Sequence, residues 1–193
     1  MKAFRFLLVR ASLVFAFLIA FPAAEAGDAD AVLWAALESG GHVALMRHAL
    51  APGTGDPDNF RIDDCATQRN LSETGRKQAR EIGAQFREHG VANVAVYSSQ
   101  WCRCLETAKL LGLGKVTPFA ALNSFFQGKS REAAQSAEVR KIIREYAKGS
   151  SLALVTHQVN ITALTGVFPQ SGEIVVLRPE GDKLVVLGST LAR

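Results

Sequence analysis

Three short apolar runs in this chain each end on reactive polar residues. Val43-Ala44-Leu45-Met46 leads into Arg47-His48, Val94-Ala95-Val96-Tyr97 into Ser98-Ser99 and then Arg103, and Leu152-Ala153-Leu154-Val155 into Thr156-His157. Apolar runs of this length, bounded by turn residues, predict buried strands over 42–48, 91–97 and 152–155, with a short further strand over 116–119. Helical spacing fills the gaps between them. Asp28 to Glu38 is apolar at Val32, Leu33, Ala36 and Leu37 and stops at Gly40-Gly41. Ser72 is placed to cap a helix whose inner face is Ala79, Ile82, Gly83 and Phe86, with Gly90 as its stop. The segments 101–111 and 131–148 carry the same period, and a last helix begins by Ile161. Glu173–Leu177 and Lys183–Leu187 flank Pro-Glu-Gly-Asp and predict a hairpin. Alternating strands and helices that end in a hairpin predict an α/β fold: a three-layer α/β/α sandwich with a mostly parallel central sheet and a C-terminal hairpin.

The first 26 residues stand apart from this pattern. Lys2, Arg5 and Arg10 precede an apolar stretch from Ala11 to Phe21 and then Ala24-Glu25-Ala26, which is the layout of a secretory signal peptide. The stretch is shorter than the roughly 20 residues a spanning helix needs, so no stable membrane anchor is expected after cleavage. The division is therefore 1–26 signal peptide and 27–193 single domain, with a secreted or periplasmic location. Cleavage also removes three basic residues and one acidic residue, which turns 22 Lys/Arg against 18 Asp/Glu into 19 against 17. A formal charge of +2 argues against a nucleic-acid partner.

Three cysteines remain, Cys65, Cys102 and Cys104. Their spacing matches neither a structural zinc site nor a Cys-x-x-Cys redox pair, and no metal site is expected. Export makes a disulfide from Cys65 to Cys102 or Cys104 plausible, with three reduced thiols as the alternative.

The chemistry lies at the strand ends. Neighbouring parallel strands would gather Arg47, His48, Arg103 and His157 around one point, at the carboxyl edge where open α/β sheets bind ligands. Two guanidinium forks and neutral imidazoles suit a phosphoryl group: the arginines bind its oxygens, and a neutral histidine attacks phosphorus. His42 and His89 read as structural. Trp101, Phe125 and Phe126 read as packing first and pocket wall second, and Ser98 and Ser99 as turn or capping residues.

These residues resemble the histidine phosphatase superfamily, which includes the cofactor-dependent phosphoglycerate mutases and the histidine acid phosphatases. The resemblance rests on Leu45-Met46-Arg47-His48, on Leu71-Ser72-Glu73-Thr74-Gly75-Arg76 and the helix it opens, on Tyr97-Ser98-Ser99 through Arg103 to Glu106-Thr107-Ala108, and on Val155-Thr156-His157. It implies a phosphohistidine nucleophile at His48, a phosphate pocket of Arg47, Arg103 and His157, and no cofactor or metal. Thr54 and Gln158 are further candidates for binding substrate. The implied function is an exported phosphatase acting on a phosphomonoester or an activated phosphoryl group; the partner class is a phosphorylated small molecule, an envelope sugar or a phosphopeptide.

The chain departs from the family pattern in two ways. Ala49 stands where glycine usually follows the nucleophile, and the usual proton donors are missing, with Leu122-Asn123-Ser124 and Gln158 at the two positions where relatives carry an acid. Asp56 is the first substitute acid among Asp56, Asp58, Asp63 and Asp64. A phosphate-binding envelope module with little turnover and a phosphomutase are the competing readings, and a histidine-ligated metalloprotein is disfavoured by the two arginines. Intact-mass measurement of the exported protein is expected to show a chain starting near Gly27; residues 1–26 still attached would refute the signal peptide.

Overall fold

The structure is a computed structural model, and it describes residues 25–146 and 149–191. The predicted signal peptide lies outside the described residues except for its last two positions, which open the first helix. The elements in chain order are α1 (Glu25–Glu38), β1 (Val43–Arg47), α2 (Glu73–Glu88), β2 (Ala95–Ser98), α3 (Cys102–Leu111), β3 (Val116–Pro118), α4 (Glu132–Tyr146), β4 (Leu152–Thr156), α5 (Gln158–Thr165), β5 (Ile174–Glu180) and β6 (Lys183–Thr190). Short 3-10 turns lie at Cys65–Thr67, Ala120–Leu122 and Lys129–Arg131.

The six strands form one sheet in the order β3-β2-β4-β1-β5-β6. β3, β2, β4 and β1 are mutually parallel. β5 runs antiparallel to β1 and turns back into β6. Strand β1 shows how the layers arise, because successive side chains of a strand point to opposite faces. Ala44 and Met46 enter a core with Leu33, Trp34 and Leu37 of α1, Ile82 and Phe86 of α2, and Ala108 and Leu111 of α3. Val43 and Leu45 enter the other core, with Val139 and Ile143 of α4 and Ile161 and Leu164 of α5. Both faces of the central strands are thus covered by helices, which is why they read as unbroken apolar runs. The predicted α/β sandwich with its C-terminal hairpin is the fold observed.

Local boundaries differ from the sequence reading where backbone geometry intervenes. Ser72 caps α2 as expected, its Oγ accepting from the Gly75 amide at 3.0 Å. β2 begins at Ala95 rather than Val91, because Val91 is spent ending the helical turn, its amide donating to the Phe86 carbonyl, and Asn93 adopts a positive φ of 55°. α5 starts directly after His157, three residues earlier than its apolar pattern suggested. In the hairpin, β5 continues through Pro179 to Glu180, leaving Gly181-Asp182 as the turn.

Two glycines of α2 set how closely its neighbours approach. A Cβ on Gly75 would lie 2.1 Å from the Leu50 carbonyl oxygen, and one on Gly83 would lie 2.0 Å from that of Leu111. Both obstacles are backbone, so neither contact can be relieved by a side-chain rotation. Gly83→Ala is therefore expected to destabilise the protein by about 2 kcal/mol or more despite the better helix propensity of alanine. Urea unfolding checks this; an unchanged or raised midpoint would mean that α2 and α3 are free to separate.

Candidate active site

Parallel register brings the strand ends level. Arg47 of β1 pairs with Thr156 of β4, and Ser98 of β2 pairs with Val155. The His48 amide donates to the Thr156 carbonyl at 2.9 Å, and the Ser99 amide to that of Val155 at 2.9 Å. His48 and His157 consequently leave the sheet side by side, with ring centroids 5.5 Å apart. Arg103, in the first turn of α3, enters from the β2 side. A cavity of about 410 Å³ at this edge is lined by Arg47, His48, Arg103 and His157, so the structure brings together the four residues singled out in the sequence.

His48 is 2 % exposed, and its Nδ1 lies 2.8 Å from the Ala49 carbonyl oxygen. A carbonyl only accepts, so Nδ1 carries the proton and Nε2 keeps its lone pair. Burial, and then the positive charge of Arg103, push the pKa of His48 down to about 3, with Arg69 and Arg47 adding to the effect against the hydrogen bond to Ala49. The imidazole is neutral at physiological pH. Ala49 is wholly buried and its amide donates to Thr107 Oγ1 at 3.1 Å, which fixes the backbone that orients the ring.

His157 sits at the N-cap position of α5 with Ser99 Oγ 2.9 Å from its Nε2 and Arg103 Nη2 3.4 Å from its Nδ1. Burial first, then repulsion from His48 whenever that ring is protonated and from the charge of Arg103, lowers its pKa well below the usual histidine range. Arg47 is tethered by Nη1 to the Pro169 carbonyl at 2.9 Å, while Nε of Arg47 and Nε of Arg103 are buried without a partner among the described residues. Buried N–H groups left unpaired are costly.

Asp56 reaches the pocket, but as a carboxylate engaged on both oxygens. Oδ1 accepts from Arg103 Nη1 at 2.6 Å and from the Arg69 amide at 3.3 Å. Oδ2 accepts from Arg103 Nη2 at 3.0 Å and from Trp101 Nε1 at 3.0 Å. Burial works to raise its pKa, yet the hydrogen bond and charge of Arg103, with Trp101 and Arg69, outweigh it and hold the group below the usual carboxylate range. Four donors leave no place for a proton. Asp56 therefore orients the Arg103 fork and is not in the form of an acid. Asp58 and Asp63 are exposed, and Asp64 pairs with Arg61 and caps a 3-10 turn; none of the three lines the cavity.

Thr54 and Gln158 both line the cavity. Gln158 donates one Nε2 hydrogen to Thr162 Oγ1 at 2.8 Å, leaving its second N–H and its amide oxygen open. Asn123, in the Leu122-Asn123-Ser124 segment, accepts from the Gln100 amide at 2.8 Å and from Ser99 at 3.2 Å; it supports the turn that holds His157. Cys65 and Cys102 form the disulfide, which ties the loop after β1 to the residue preceding Arg103. Cys104 is the remaining thiol, and burial, against the pull of Arg103, pushes its pKa up to about 12.

Sequence reasoning missed Arg69, which lines the cavity and clamps the loop by donating from Nε to the Gly55 carbonyl at 2.8 Å and from Nη1 to that of Ala51. Its only sequence signal is a cation closing a long loop rich in glycine and proline. His42 and His89 are structural as read, His42 bonded to the Gly40 carbonyl at 2.8 Å and His89 stacked on Trp34 at 4.8 Å.

Comparison with known proteins gives a consistent picture. The sequence model of the Histidine phosphatase superfamily (branch 1) matches residues 43–129. No curated protein sequence matches the chain. Among solved structures, the protein histidine phosphatase SixA complexed with tungstate superposes with a TM-score of 0.57 at 16 % identity, over 78 % of this chain and 97 % of that one. Phosphoserine phosphatase from Entamoeba histolytica, in complex with 3-phosphoglyceric acid, gives 0.55 at 14 % identity, over 77 % and 95 %. Alpha-ribazole phosphatase from Shigella flexneri gives 0.55 at 14 % identity, over 79 % and 96 %.

The two neutral histidines imply a pH dependence of stability. In the unfolded chain each binds a proton below about pH 6.5, while in the folded protein His48 stays neutral down to about pH 3. The unfolded state therefore binds more protons across that window, and stability should fall with falling pH by up to about 1.4 kcal/mol per unit for each histidine. Urea midpoints from pH 7 to 4 are expected to show a shallower slope for His48→Asn than for the parent; equal slopes would place a charged imidazole in the folded site.

Proposed function

We propose that the chain is a member of the histidine phosphatase superfamily, whose sequence model matches residues 43–129, and that it is an exported phosphatase. In this reading it hydrolyses a phosphomonoester or an activated phosphoryl group through a phosphohistidine on His48. The observation that carries the reading is the state of His48: buried, neutral, its Nδ1 held by the Ala49 carbonyl and its Nε2 free in a cavity beside Arg47, Arg69 and Arg103. A neutral nucleophile among cations is the arrangement needed to attack a dianion, since the arginines cancel the repulsion that the phosphoryl oxygens would otherwise exert.

The charges balance. Arg47, Arg69 and Arg103 against Asp56 leave two positive charges on the inner pocket, the complement of a phosphoryl dianion. Nε2 of His48 attacks phosphorus as the bond to the leaving oxygen breaks, and that oxygen leaves with the bonding pair. Water then attacks the phosphohistidine, releasing inorganic phosphate and restoring neutral His48. Arg47 and Arg103 hold the nonbridging oxygens through both steps, with His157 beside them against Arg103 and Ser99, and no metal is required for either.

The weak point of this catalyst is the leaving group. With Asp56 bound to Arg103 and Asn123 in place of an acid, no side chain holds a proton ready for a departing alkoxide. The site thus favours leaving groups that depart readily, aryl and phosphohistidine-like ones before simple alcohols. Export is supported by the N-terminal charge and apolar pattern, and a disulfide beside the site suits an oxidising compartment.

Labelled phosphate from an aryl phosphate is expected to be trapped on the protein in an alkali-stable form, and His48→Ala should abolish the trapping and lower turnover by at least about 1,000-fold. An active enzyme with an unmodified His48 would overturn the mechanism. Across a series of aryl phosphates the chemical step should slow steeply as the leaving group becomes more basic; a flat dependence would reveal a proton donor.

A further inference from the structure

The cavity is larger than a phosphoryl group requires. Its volume of about 410 Å³ falls within the roughly 300–1,000 Å³ typical of sites for whole small molecules. Beyond the catalytic groups it runs out along the segment between the Ala120–Leu122 turn and α4, where Ser124, Phe126, Gln127 and Arg131 line it. Phe125 and Phe126 part company here. Phe125 is 2 % exposed and anchors the segment in the core, whereas Phe126 is 59 % exposed on the cavity wall. The turn is closed by the Gly128 amide donating to the Phe125 carbonyl at 2.9 Å.

Arg131 is the second unusual group of this wall. Its guanidinium folds back over Gly128, where a Cβ would meet Nη2 at 2.8 Å, and Nη2 donates to the Ser124 carbonyl at 3.3 Å. No carboxylate pairs with it among the described residues. The side chain is therefore laid along the cavity mouth while still open to solvent, and no carboxylate compensates its charge. Charge matching makes this informative. The inner arginines and Asp56 already complement a phosphoryl dianion, so the charge of Arg131 is surplus to the reacting group.

We propose that Phe126 and Arg131 form an outer subsite for the body of the substrate, in which Arg131 binds a second anionic group, carboxylate or phosphoryl, carried by the phosphomonoester. The assignment rests on the phosphatase reading for its chemistry, but it is a statement about binding. The planar fork of Arg131 pairs bidentately with either anion, and the Phe126 ring covers the carbon skeleton between the two charged ends. The natural substrate is then a doubly anionic organic phosphate.

The test uses matched probes on the full chain: phenyl phosphate against 4-carboxyphenyl phosphate, and hexyl phosphate against 1,6-hexanediol bisphosphate. The preference for the doubly anionic member is the ratio of kcat/KM values within a pair. In at least one pair Arg131→Gln is expected to lower that ratio about tenfold, while Arg131→Lys, which keeps the charge and loses the fork, lowers it less. The pair that responds identifies the anion. Ratios that match those of the parent in both pairs would overturn the subsite, as would an equal loss for the singly charged members. Calorimetric binding of the same probes to His48→Ala separates the two proposals. An Arg131-dependent preference in binding without turnover by the parent would retain the subsite and sink the phosphatase; turnover without such a preference would do the reverse.

Discussion

The structure depends first on the parallel register of three adjacent strands. Because Arg47 pairs with Thr156 and Ser98 with Val155, the chain leaves β1, β4 and β2 at one level, and each departure puts a polar residue at the same edge. One residue of slip in any strand would turn His48 or His157 to the opposite face of the sheet. The register is secured from both sides, by Ala44 and Met46 in one core and Val43 and Leu45 in the other. Apolar packing that touches no substrate thus sets the separation of the two imidazoles.

Charge is the second constraint, and it opposes the first. Three arginines around two buried histidines repel one another and add to burial, the larger cause, in driving the imidazoles to their neutral forms. Asp56 offsets part of this repulsion and at the same time aligns the Arg103 fork. It reaches that place on a long loop, fastened at its far end by the Cys65–Cys102 disulfide and along its length by the Arg69 side chain. The loop is therefore part of the electrostatic design of the site. A carboxylate so fully bonded serves charge balance and orientation, which is the physical reason the proton-donor role first considered for Asp56 does not suit it.

Close packing of helices completes the frame. The glycines of α2 allow it to lie directly against the backbone at Leu50 and at Leu111, and the first of these contacts holds the start of the loop that carries Asp56. The Leu50 amide donates to Gln78 of the same helix, so α2 grips that segment from two points. A helix that contributes nothing to the cavity lining still decides where the loop begins.

The sequence alone determined the layering, the strand ends that matter and the identity of Arg47, His48, Arg103 and His157. Each of those is a local signal, an apolar period broken by a cation, and local signals survive in a linear chain. What only the tertiary structure decided involves partners far apart in sequence: the choice of Cys102 over Cys104 for Cys65, the binding of Asp56 to Arg103 47 residues away, and the entry of Arg69 and Arg131 into the cavity wall. No periodicity encodes these. They follow from how a loop closes over a sheet edge, where distance and charge balance among groups brought together by folding, and not neighbours along the chain, select the contacts.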